Sequence, residues 1–158
     1  MLHKTNAARI LDQMGITYEL QAYEVDPEYL SAEHTAETLG IEADKIFKTL
    51  VLEGNPHGYF VCIIPACAQV DFKKAALASQ NKNCDMIPTK ALLPVTGYIR
   101  GGCSPIGMKK HFPTYIEEWS LTEAKIYVSA GKRGLLLQIG PEDLIRACQA
   151  QVCDLIIL

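Results

Sequence analysis

The run Gly101-Gly102-Cys103-Ser104-Pro105-Ile106-Gly107-Met108-Lys109-Lys110 constrains this chain more than any other stretch. Three glycines, a proline and a serine fall close together, and two lysines follow. So little side-chain bulk lets several backbone N–H groups point at one small acceptor. Pro105 fixes one φ angle and brings no donor, which makes the loop stiff as well as open. The segment therefore suits a carbonyl or phosphate oxygen, and it equally suits a tight connection that needs positive φ. A second segment, Ser129-Ala130-Gly131-Lys132-Arg133-Gly134, again joins glycines to paired positive charge.

At 158 residues, 49% of them apolar, the chain is long enough for one domain over 1–158 with a real core. No uninterrupted apolar run approaches the roughly 18 residues of a membrane span. The opening Met1-Leu2-His3-Lys4-Thr5-Asn6 lacks the apolar stretch of a signal peptide. A cytoplasmic protein with no membrane partner is expected.

Six cysteines invite a disulfide framework, but a long, core-rich chain of cytosolic type does not need one. Cys62/Cys67 and Cys148/Cys153 are five apart with no histidine nearby, so neither pair has zinc spacing, and no metal or cofactor is expected. Most of the cysteines read as small buried hydrophobes. Cys103 is the exception, because its loop should face a ligand, and a nucleophilic role for it would need a basic partner that the sequence does not show.

The net charge of −3 argues against a protein that coats nucleic acid, and no DNA partner is expected. Its distribution says more. Residues 1–60 carry ten acids and four Lys/Arg, whereas residues 61–158 carry eight acids and eleven Lys/Arg. The basic excess gathers at Lys73-Lys74, Lys109-Lys110 and Lys132-Arg133. A solvated face would explain such pairs, and so would an anionic ligand approaching from one side.

Periodicity and punctuation predict a mixed architecture. Thr5 caps a first helix with Ala8, Ile10, Leu11 and Met14 as its apolar stripe, and Gly15 stops it. Ile16 to Tyr23 reads as a strand, and Ser31 to Gly40 as a second helix. Ile46 to Glu53 and Tyr59 to Pro65 form a hairpin. Asp71 caps a helix through Ala78, and Pro88 opens another through Leu93. Ile99, Tyr115-Ile116, Ile126 to Val128 and Leu135 to Ile139 fall in strands. Pro141 and Glu142 start a last helix, and Val152 to Leu158 closes as a strand. Short strands with irregularly placed helices are α+β rather than doubly wound.

Three pieces of the chain occur in the order of a known family: FKTLV at Phe47 to Val51, TGYIRGGCSPIGMKK from Thr96 to Lys110, and IYVSAGKRGL from Ile126 to Leu135. Together they resemble the YbaK-type aminoacyl-tRNA deacylases, relatives of the editing domain of prolyl-tRNA synthetases. The resemblance covers nearly the whole chain. It implies a strongly curved, almost barrel-like mixed sheet with helices around it and a cleft on one side.

Alternation alone leaves Lys48 either on a solvent-facing strand side or in a cleft. The resemblance implies the cleft, where an ammonium would bind a terminal-nucleotide phosphate or polarise an ester. It also implies that the Gly101–Gly102 backbone holds the carbonyl end of an aminoacyl group, with Ser104 and Pro105 in the same substrate loop. Tyr23 and Ser129 match cleft positions that offer hydroxyl groups, although by sequence they read equally as a strand-end aromatic and a turn residue. Thr49 is grouped with them, yet it should face the opposite side of the strand from Lys48, where its hydroxyl would be structural. Leu136 departs from relatives that are acidic there.

No Ser-His-Asp set, paired carboxylates or metal ligands emerge, and His34, His57 and His111 fall in no catalytic pattern. An aminoacyl ester is already activated, and a cysteinyl ester carries its own thiol. The resemblance implies attack of that thiol on its own carbonyl, giving a thiolactone and free tRNA. The expected substrate is Cys-tRNA(Pro), met at its acceptor end beside prolyl-tRNA synthetase. Two alternatives stay open: a deacylase of Ala- or Ser-charged tRNA that uses water, and a non-catalytic module that binds tRNA or synthetase.

Overall fold

The computed structural model describes residues 4–25 and 32–158. Helix α1, Asn6–Gln13, begins where the Thr5 hydroxyl accepts from the Ala8 N–H at 3.3 Å. It turns Ala7, Ala8 and Leu11 inward, while Met14, expected in the apolar stripe, caps the helix in partial exposure. Only Glu19–Ala22 of the predicted first strand pairs, as β1. Helix α2 spans Ala32–Leu39, and Ser31, expected to open it, lies outside the described residues.

Strands β2, Phe47–Asn55, and β3, Gly58–Pro65, form the predicted hairpin. Helix α3 is Phe72–Ala78, with the Asp71 carboxylate accepting from the Lys73 and Lys74 N–H groups at 2.9 and 3.2 Å. A strand that sequence did not signal, β4 at Asn83–Met86, follows, and then α4 at Thr89–Thr96. The order closes with β5 (Thr114–Glu117), β6 (Ile126–Ser129), β7 (Leu135–Ile139), α5 (Pro141–Cys148) and β8 (Gln151–Cys153). Ile99, expected in a strand, lies in an exposed loop because the chain must turn there toward the glycines. The closing strand is shorter than expected, since beyond β8 only Ile156 bridges among the described residues, to Val70.

The fold is α+β, as expected, but its sheet does not close into a barrel. One sheet has the order β4-β2-β3-β5-β8, the other β1-β7-β6. They touch where Ile46 bridges to Tyr127 of β6. Along that same edge of β2, β4 pairs only with Leu52 to Asn55, and the Ile87 N–H reaches the Val51 carbonyl at 3.2 Å. Between these points, from Phe47 to Leu50, the edge has no strand partner among the described residues. This gap places the cleft.

Two apolar clusters hold the β2 strand. Phe47 and Val51 pack with Val61, Ile63, Leu135 and Leu137 on one face, while Leu52 joins Phe60, Cys62 and Ile64 on the other. Fully burying a Leu, Ile or Phe side chain contributes about 1.5–3 kcal/mol, so an edge anchored on both faces is a rigid platform. The buried Glu117 carboxylate fastens the C-terminal segment by accepting from the Trp119 N–H at 2.9 Å and the Leu155 N–H at 2.7 Å.

Candidate active site

Lys48 sits at the junction of the hollows that open from the gap. A 560 Å³ hollow is lined by Lys48, Thr49, Ile87, Leu92, Arg100 and Gly101, among others. A smaller one of 170 Å³ continues from it past Lys48, Thr49 and Gly101 to Tyr23, Ser129 and Leu136. The two form one cleft with a wide arm and a narrow arm.

The lysine is half-buried and makes no ion pair within 4 Å among the described residues. Burial lowers its pKa below the usual lysine range, and the Glu33 carboxylate, followed by Cys67, opposes that shift. Sequence alternation set Thr49, though grouped with the substrate-binding residues, on the opposite side of the strand from Lys48. Thr49 lines both arms, although its place in the ladder, opposite Ile63 of β3, keeps its side chain on the other face of β2 from Lys48. Its Oγ1 is buried with no hydrogen-bond partner among the described residues.

The two glycine loops form the opposite wall, clasped together. The Arg133 Nε–H donates to the Arg100 carbonyl at 2.8 Å. A Cβ on Gly102 would meet the Lys132 Cα and the Arg133 N at 3.0 Å, so only glycine lets these backbones approach so closely. Tyr98, which sequence reasoning passed over, braces the same wall by donating its hydroxyl to the Ile106 carbonyl at 2.6 Å. Burial pushes the Tyr98 phenol up to about 12.

The expected pair of glycine donors divides. The Gly102 N–H is donated to the Ile99 carbonyl at 3.0 Å and is therefore occupied. Gly101, at φ 85°, lines both arms, and its N–H has no backbone acceptor among the described residues. Ser104 and Pro105, expected to touch substrate, are buried behind the wall. Ser104 Oγ accepts from the Ile106 N–H at 3.2 Å, and the Pro105 carbonyl accepts from the Cys148 thiol at 3.6 Å, so both are scaffold. Ser129 does line the narrow arm, where its Oγ also accepts from the Gly131 N–H at 3.2 Å. Tyr23 lines it too, held by its N–H to the Gly134 carbonyl at 2.9 Å.

Cys103 borders both arms but is 9% exposed, and burial raises its thiol to about 11. Such a thiol is almost wholly protonated near neutrality and is a poor nucleophile. Arg100, Ile87 and Leu92 complete the wide arm. Arg100 falls within the TGYIRGGCSPIGMKK stretch but was given no role there, and no spacing or motif singled out Ile87 or Leu92.

A lysine, a glycine N–H and a buried, unpartnered hydroxyl thus gather at the parting of the two sheets. The chain belongs to the aminoacyl-tRNA editing domain family, whose pattern it matches over residues 26–147. It is 47% identical over 152 residues to an Enterococcus faecalis protein named "Putative Cys-tRNA(Pro)/Cys-tRNA(Cys) deacylase EbsC", covering 96% of this chain and 93% of the relative. Among solved structures, one described as "a putative trans-editing enzyme for prolyl tRNA synthetase" superposes with a TM-score of 0.82 at 23% identity, covering 99% of this chain and 100% of the other. A hypothetical protein superposes at 0.86 with 21% identity, covering 94% and 97%. These two likenesses establish the fold.

Proposed function

We propose that this protein is an aminoacyl-tRNA deacylase that removes cysteine from Cys-tRNA(Pro). The observation that carries the reading is the convergence of Lys48, Thr49 and the Gly101 N–H on one cleft whose narrow arm suits a small side chain. The name of the 47% identical relative supports the same substrate.

The terminal adenosine occupies the wide arm and the cysteinyl group the narrow one. The substrate thiolate attacks its own ester carbonyl, so that a C–S bond forms and the C–O bond to the ribose breaks. The ribose oxygen leaves and takes a proton, giving cysteine thiolactone and free tRNA. Lys48 and the Gly101 N–H face the carbonyl oxygen as negative charge grows on it; one such donor contributes about 2.7–4 kcal/mol to a barrier. Thr49 turns its buried Oγ1 toward the ester or the ribose and gains there the hydrogen bond it lacks in the free protein. Holding thiol and carbonyl together supplies the effective molarity that a protein nucleophile would otherwise bring. The raised Cys103 thiol and the position of Lys48 fit this division of labour.

The protein works in the cytoplasm beside prolyl-tRNA synthetase, which supplies tRNA selectivity, and residues 1–158 act as one editing domain. The test is side-by-side assay of Cys-, Ala-, Ser- and Pro-charged tRNA(Pro), with Cys-tRNA(Cys) included. Deacylation of the cysteinyl substrates with Pro-tRNA(Pro) intact is expected. Equal rates on cysteine and on an isosteric amino acid without the thiol would refute the thiol-driven route.

A further inference from the structure

A third hollow of 630 Å³ opens on the other side of Lys48, lined by Lys48, Leu50, Gln69, Phe72, Lys73 and Ile157 among others. It shares Lys48, Leu50 and Met86 with the wide arm of the cleft, so the two are continuous across the β2 strand. Its walls are unusually apolar for a surface. Phe72 is 40% exposed, Met86 41% and Ile157 54%, and the three converge on this one groove.

Its charges are sorted as well. The Asp71 carboxylate also lines the groove, but its Oδ1 is taken by the Lys73 and Lys74 backbone N–H groups. The Lys74 ammonium is held by Asp154 Oδ1 at 3.0 Å and the Ile156 carbonyl at 2.8 Å. The neighbouring Lys73 makes no ion pair among the described residues and lines the groove beside the exposed Phe72 ring. An aromatic face next to an uncommitted ammonium matches the repeating chemistry of a single-stranded nucleic acid, in which a base stacks and a phosphate pairs.

We propose that this groove holds the single-stranded nucleotides preceding the terminal adenosine of the acceptor end, with Phe72 as the stacking surface and Lys73 as the phosphate contact. The proposal rests on the deacylase reading for its direction. An adenosine in the wide arm puts the next phosphate toward Lys48, Leu50 and Met86, and the chain then continues into the groove. Apolar walls alone would also accept an aliphatic peptide. Continuity with a nucleotide-sized arm and the surplus of ammonium over available carboxylate favour RNA.

Two measurements on the full chain test it. The first is binding of the uncharged trinucleotide 5′-CCA-3′, followed by the amide resonances of Gln69 and Phe72 and by titration. Phe72→Ala should weaken binding by about tenfold, and Lys73→Glu should lower the log–log salt slope by about 0.7, the value for one phosphate contact on a single strand. The second is the ratio of kcat/KM for cysteinyl-CCA to that for cysteinyl-adenosine. It should exceed one in the wild type and fall toward one in both variants. CCA binding unaltered by both substitutions would overturn the proposal, whatever the activities. Phe72-dependent CCA binding by a protein inactive on both esters would uphold the groove and sink the deacylase reading instead.

Discussion

Lys48 and Thr49 are consecutive residues of a β-strand, yet both line the same cleft. Both are paired with β3, opposite Ile64 and Ile63, so their side chains alternate across the strand. They share a site because the two sheets part between the Ile46–Tyr127 bridge and the Leu52–Met86 pairing. The failure of the barrel to close is therefore what makes a binding site of a strand edge.

Lys48→Met should lower kcat/KM for the cysteinyl ester by about 100-fold or more, the scale seen when one transition-state donor is removed. Burial disfavours the ammonium, so the same substitution should raise Tm rather than lower it. Deacylation rates and thermal melts of one preparation check both. A variant with unchanged turnover would remove Lys48 from the chemistry.

The lowered pKa of Lys48 has two consequences of opposite sign. The folded protein releases this proton at a lower pH than the unfolded chain does. Its contribution to stability therefore rises with pH across the window between the lowered value and the ordinary lysine value. Activity that depends on the ammonium falls across the same window. Below it, the rate should climb with pH as the substrate thiol, with an ordinary value of about 8.5, ionises. The enzymatic pH–rate profile, corrected for spontaneous ester hydrolysis, should be bell-shaped, and Lys48→Arg should push its falling limb to higher pH.

Thr49→Val removes a buried hydroxyl that has no partner in the free protein. Loss of that uncompensated group should leave stability unchanged or raise it by about 1 kcal/mol. Activity should fall by about tenfold, the worth of one hydrogen bond to bound substrate. Denaturant midpoints and steady-state kinetics separate the two effects. Destabilisation with full activity would mean that the hydroxyl serves the fold.

Gly102→Ala forces a Cβ to within 3.0 Å of the Lys132 and Arg133 backbone. Backbone cannot yield as a flexible side chain would, so a loss of about 1–3 kcal/mol is expected. Activity should fall with it as the clasped loops separate and the Gly101 N–H loses its aim. Melting temperature and kcat/KM measured together report the coupling.

Cys103→Ala should retain substantial activity, since a thiol held at about 11 is not the nucleophile. Its loss leaves a small cavity worth about 1 kcal/mol. Iodoacetamide at neutral pH should label the exposed Cys67 well before Cys103. Complete loss of activity in a folded Cys103→Ala protein would restore the nucleophile.

Most elements were legible because their signals are local: the Thr5 and Asp71 caps, the Pro141 start of α5, and the alternation in β2 and β3. Strand β4 was not, since Asn83–Met86 is a short polar edge strand whose pairing is decided by β2. Lys48, Gly101, Tyr23 and Ser129, grouped through motif resemblance, do line one cleft. Ser104 and Pro105 misled because a glycine-rich loop has a lining side and a packed side, and spacing does not say which residue falls on which. Thr49 was set apart because alternation assigns a side chain to a face and says nothing of a gap that opens beside the strand edge.

An unpaired strand edge is also a template on which another extended chain can add itself. Natural sheets guard such edges with an inward-pointing charge, and from Phe47 to Leu50 the one charged side chain is Lys48. In the proposed mechanism, deacylation and protection of this edge thus lean on the same ammonium. The Lys48→Met protein, though it melts later, should self-associate more readily at high concentration. Occupying the cleft should suppress that association, so substrate would act here as a guard against misassembly.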